Sequence, residues 1–114
     1  MSDAPTKTAE PKKSTQPAKP KPKVEKLPPF NVILINDEEH TYDYVIEMLQ
    51  KLFGHSKEKA YLMAKEVDST GRVIVFTTHR ERAELKRDQI HAFGRDKEHP
   101  RSKGSMKATI EPER

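Results

Sequence analysis

The chain has 114 residues and no cysteine. That length leaves room for one domain, and the missing thiols exclude disulfides, thiolate metal sites and a cysteine nucleophile. The net charge of +4 is unevenly placed: residues 1–29 hold seven lysines and three acids, while the other 85 residues balance 15 basic side chains against 15 acidic ones. A nucleic-acid-binding domain carries its own basic face, so nucleic acid is not the partner expected of the folded part.

Residues 1–29 contain seven of the nine prolines, and almost no large apolar side chain precedes Leu27. Such a segment cannot offset its ordering entropy by burial. It is expected to be a disordered Pro- and Lys-rich extension: either a solubilising tail or an arm gripped by something else. Residues 30–114 are expected to form the single folded domain. No apolar run approaches the roughly 20 residues that span a bilayer, and no signal-peptide core opens the chain. A cytoplasmic location without membrane contact follows as the expectation.

The folded part begins with Val32 to Ile35, a compact apolar run suited to a buried strand. Five polar residues follow, Asn36-Asp37-Glu38-Glu39-His40. Thr41 can cap a helix with its hydroxyl, and Asp43 falls in the favourable first turn. Val45, Ile46, Met48, Leu49, Leu52 and Phe53 then recur at helical spacing until Gly54 ends the helix. An acidic loop is thus held between a strand end and a helix start, a good place for a binding site.

Ser56 can cap a second helix whose apolar face is Ala60, Met63, Ala64 and Val67. Asp68 to Gly71 reads as a turn by residue type, and Arg72 to Thr77 as a second strand. Thr78 and Glu81 fit a capping box for a third helix with Ala83, Leu85, Ile90 and Phe93, stopped by Gly94. Met106, Ala108 and Ile110 alternate with polar residues, as in a half-buried strand. The order β-α-α-β-α-β predicts a small α/β (α+β) sandwich: a three-stranded antiparallel sheet with three helices on one side.

Candidate chemistry is sparse. Adjacent acids in a loop rarely converge on one metal, and the chain shows neither an EF-hand nor a paired-histidine zinc pattern. The acceptors near a helix start suit an ammonium better. The five histidines are scattered, with no nucleophile signature and no phosphate-cradling glycine loop. A non-enzymatic binding module without cofactor or metal is expected. Tyr42 and Tyr61 read as core or boundary residues, with Tyr42 a pocket candidate because it adjoins the acidic loop.

The run FNVILINDEEHTYDYVIEMLQKLF, continuing through AKEVDSTGRVI to IHAFGRDKEHP, resembles the ClpS family, adaptors of ATP-dependent Clp proteases. The resemblance spans about Phe30 to Pro100. It implies an adaptor that captures proteins with a bulky Leu, Phe, Tyr or Trp as first residue. Such an adaptor delivers them to the N-terminal domain of an AAA+ unfoldase of the ClpA or ClpC type, and works as a monomer.

By position, Asn36 and Asp37 would hold the substrate α-ammonium. Asp68 stands where the family places a histidine, and it either accepts from the amine or merely caps the turn before Gly71. His40, Tyr42, Val45 and Ala64 match the side-chain pocket. There Ala64 replaces a methionine and implies a roomier pocket, and Arg101 replaces a leucine at the rim. Glu81 and Lys86 match positions that dock on the unfoldase, and the N-terminal extension matches the segment engaged during handover. Two alternatives stay open: a regulator that docks on the unfoldase without N-degron recognition, and a binder of anionic partners through the basic arm.

Overall fold

The computed structural model describes residues 27–113; the extension up to Lys26 lies outside the described residues. Six elements follow in the expected order: β1 (Phe30–Ile35), α1 (Tyr42–Phe53), α2 (Lys57–Thr70), β2 (Arg72–Thr78), α3 (Arg80–His91) and β3 (Lys107–Pro112). The sheet is antiparallel, with β1 in the centre between β2 and β3.

The register places Val32 opposite Phe76 and Ile110, and Leu34 opposite Val73 and Ala108. Those positions alternate along β1, so Val32 and Leu34 turn toward the helices. There they join Tyr44, Val45, Met48 and Leu49 of α1, Ala60, Ala64 and Val67 of α2, and Ala83 and Ile90 of α3. Met48, Leu49 and Ile90 are fully buried, and burial of a side chain of this size contributes about 2 kcal/mol. Between Val32 and Ile33 the pairing with β2 slips by one residue. This bulge lets both Val75 and Phe76 pack against the helical core.

Local chemistry sets the boundaries. Thr41 accepts the Tyr44 amide at 3.2 Å and Ser56 the Lys59 amide at 3.1 Å, so both expected N-caps form. Gly54 and Gly71 adopt left-handed φ of 72° and 93°, and their amides close on Gln50 and Val67.

Three local expectations are corrected. Asp68 to Thr70 belong to α2 rather than to a turn, because Gly71 alone supplies the left-handed exit. The Thr78–Glu81 capping box does not form: β2 runs through Thr78, and His79 is the N-cap of α3 without a side-chain cap. The third helix ends at His91 with Ala92 as its C-cap, short of Phe93 and Gly94; it buries only Ala83 and Ile90, and Leu85 points outward at 51% exposure.

Candidate functional site

The loop between β1 and α1 is built from its own polar side chains. The Asp37 carboxylate accepts the Glu39 amide at 2.9 Å through Oδ1 and meets His40 Nδ1 at 2.9 Å. Folding the loop back so tightly puts Glu38 at φ 64°, a left-handed conformation that costs a side-chain-bearing residue about 1–2 kcal/mol. The Asn36 amide donates to the Gly71 carbonyl at 3.0 Å. That bond ties the loop to the end of α2, three residues beyond Asp68. No basic residue occupies the last turn of α2, so the partial negative charge of that helix end stands beside the acidic loop.

His40 fastens the far side of the loop. Its ring is only 3% exposed, stacks obliquely on Tyr44 at 4.5 Å, and brings Nε2 to 2.8 Å from the Gly104 carbonyl. Ser102 Oγ lies 3.2 Å from the same nitrogen, so Asp37, His40 and Ser102 fall in the order of a hydrolase triad. Two features remove that meaning. A carbonyl only accepts, so the Nε2 that faces Gly104 carries a hydrogen and cannot take one from Ser102. Ser102 is itself 4% exposed and accepts the Asp96 amide at 2.9 Å. The trio is a structural tether between two loops.

Asp96 is the buried acid of this region, at 3% exposure. Its Oδ2 accepts the Thr41 amide at 2.6 Å and its Oδ1 the Glu98 amide at 2.9 Å. Burial by itself would push the carboxyl up. The two amides outweigh it, the Thr41 hydroxyl and the nearby His40 ring add to them, and the acid is held below its ordinary value. Neither Asp96 nor Ser102 was singled out from sequence. In the charged run Arg95-Asp96-Lys97-Glu98, nothing distinguishes a buried aspartate from a solvated one.

On the opposite side, Tyr42 leaves α1 and reaches α2. Its hydroxyl donates to Asp68 Oδ2 at 3.0 Å, and its ring lies 5.9 Å from that of Tyr61. The hydrogen bond to Asp68, with some desolvation, raises the phenol above its usual value. Tyr42 and Tyr61 are exposed, at 36% and 45%, not core residues. The core tyrosine is Tyr44, which donates to the Gly94 carbonyl and packs edge-on against Phe93. Val45 and Ala64 are 4% and 1% exposed. Beyond Tyr61 the α1–α2 face opens into a groove of about 570 Å³ lined by Ile46, Lys57, Glu58, Tyr61 and Leu62.

Glu81 and Lys86 lie on α3, apart from this loop. Glu81 is exposed in the first turn. Lys86 is not a free solvated residue: Nζ donates to the Leu52 carbonyl at 2.5 Å and sits 5.5 Å over the Phe53 ring. It caps the end of α1. Arg101 is exposed in the loop before β3.

Residues 25–102 match the family described as ATP-dependent Clp protease adaptor protein ClpS. The chain belongs to the ClpS family. The ClpS adapter protein of Alkalilimnicola ehrlichii is 34% identical over 79 residues, covering 69% of this chain and 74% of that protein. The ClpS adapter of Xanthomonas campestris pv. campestris is 35% identical over 80 residues, 70% of this chain and 76% of the relative. The fold also matches the solved structure of Agrobacterium tumefaciens ClpS2 bound to L-phenylalaninamide. The TM-score there is 0.67 and the identity 24%, over 77% of this chain and all of that one. ClpS proteins are adaptors of ATP-dependent Clp protease. No helix among the described residues is long and apolar enough to cross a membrane.

Proposed function

We propose that this chain captures proteins bearing a bulky hydrophobic first residue and delivers them to the N-terminal domain of a Clp AAA+ unfoldase, as a cytoplasmic monomer without cofactor. The observation that carries this reading is the Asn36–Gly71 hydrogen bond. It holds the acidic loop against the helix end that carries Asp68. In this reading Asn36, Asp37 and Asp68 supply the acceptors and negative charge that hold a substrate α-ammonium. An α-amino group is largely cationic at neutral pH, and an internal peptide N–H supplies neither its charge nor its three donors.

In this reading His40 fixes the orientation of Asp37, while Tyr42, Val45 and Ala64 meet the first side chain. The relative solved with L-phenylalaninamide carries a ligand of that chemistry, a free amine beside an aromatic ring. Glu81 and Lys86 serve the unfoldase-docking face. The N-terminal extension, residues 1–29, is the segment engaged at handover.

The test is binding of fluorescent peptides that begin with Leu, Phe, Tyr, Trp or Ala, each free and N-acetylated. Bulky free starts should bind and their acetylated forms should not. Equal binding of both forms would remove the amine site from the proposal.

A second reading is favoured by the Tyr42–Asp68 hydrogen bond, which already occupies one acceptor of the site. In it the chain regulates the unfoldase by docking alone. Loss of degradation control on Lys86→Ala, with no effect of Asn36→Ala or Asp37→Ala, would select that reading.

A further inference from the structure

We propose that Tyr42 is a gate: with its hydroxyl latched on Asp68 it closes the side-chain pocket of the free protein, and the α-ammonium of an arriving substrate releases it. This inference rests on the N-degron reading above and gives that site a mechanism of entry.

The geometry comes from helical spacing. Tyr61, Ala64 and Asp68 stand at i, i+3 and i+7, one stripe along α2. Tyr42 engages both ends of it, with its ring 5.9 Å from that of Tyr61 and its hydroxyl 3.0 Å from Asp68. A tyrosine that touches both ends of the stripe crosses the middle, where Ala64 presents only a methyl group. Ala64 is nevertheless 1% exposed, so its methyl group is covered in the free protein, on the stripe that Tyr42 spans. Val45, one turn beyond Tyr42 on α1, is 4% exposed. Both apolar positions that would receive a substrate side chain are therefore covered in the free protein, and in the gate Tyr42, itself 36% exposed, is the part of that cover that moves.

A side chain can reach Val45 and Ala64 only after Tyr42 swings aside, and that motion breaks the bond to Asp68. The phenol offers Asp68 one neutral donor. An α-ammonium offers a full charge and three donors, so it replaces the broken bond with a stronger one. An acetylated terminus or an internal side chain brings no such replacement. Amine recognition and side-chain recognition become one coupled event, and the pocket stays shut to anything that lacks a free N-terminus.

The test compares the wild type with Y42F, which keeps the ring and removes the latch, and Y42A, which removes both. Affinity for a fluorescent peptide starting with Leu is measured by anisotropy with free and acetylated amines. The latch predicts that Y42F binds the free peptide about fivefold more tightly than the wild type, the competing hydrogen bond being gone. It also predicts that free-amine selectivity relaxes in Y42A. Unchanged or weaker binding by Y42F, with the wild type binding normally, would overturn the gate and leave the N-degron reading intact. Binding gained by Y42A where the wild type binds nothing would support a gate held firmly shut. Absence of binding in all three proteins would overturn the gate together with the reading on which it rests.

Discussion

The carboxylate of Asp96 accepts the Thr41 amide at 2.6 Å across 55 residues of chain. Thr41 is also the N-cap of α1, so a negative charge from the loop before β3 meets the positive end of the helix that bounds the acidic loop. Removing it leaves the Thr41 and Glu98 amides without their acceptor. Asp96→Ala should lower unfolding stability by about 2 kcal/mol, read from urea denaturation.

The same acid makes stability depend on pH. Its folded-state value is depressed, so its contribution is fully present above the unfolded carboxyl value of about 3.9. That contribution is lost as pH falls through the lower folded value. Acid titration of stability should therefore be less steep below about pH 4 in Asp96→Asn than in the wild type. Equal slopes would show that the charge contributes nothing.

Glu38 holds a left-handed φ of 64°. Glu38→Gly should relieve that strain and raise stability by about 0.5–1 kcal/mol, since glycine gives back part of the gain through its freer unfolded chain. A loss of stability in thermal denaturation would contradict the strain argument.

Lys86 joins the end of α1 to α3 through the Leu52 carbonyl and the Phe53 ring. Lys86→Ala should lower stability by about 1 kcal/mol as well as weaken unfoldase binding. Lys86→Met keeps most of the stem. A defect in docking that persists in Met once stability is matched would assign the charge to the partner rather than to the fold.

Amine recognition carries its own pH signature. A peptide α-amino group loses its proton near pH 7.7–8.0. Affinity for free-amine peptides should fall more than about tenfold between pH 7 and pH 9.5, with acetylated controls flat. A flat profile for both would sink the ammonium as the recognised group.

Much of the fold was legible because strand and helix periods stand out in short, well-punctuated segments. Thr41, Ser56 and Gly54 mark boundaries by chemistry that acts over four residues, and the structure uses each as expected. Thr78 failed as a cap because sheet pairing with Phe30 extends β2 through it; tertiary pairing outweighed a local motif. Gly94 failed as the stop of α3 because the helix already ends at His91, with Ala92 as its C-cap. At the site, the acidic loop was readable as a loop, but the partners of its side chains were not. Tyr42 and Asp68 are 26 residues apart, His40 and Gly104 are 64 apart, and no local pattern reports contacts at that range.

The bulge beside Val75 also bears on how safely the protein handles other chains. β2 is an edge strand with an exposed isoleucine, Ile74, at 49%, a combination that invites a foreign strand to pair. The slip in register breaks the even spacing such a strand would need. The Val75 carbonyl is already held by the His55 ring at 2.7 Å. An extended polypeptide passing this edge meets an interrupted ladder, which discourages it from adhering there as a fourth strand.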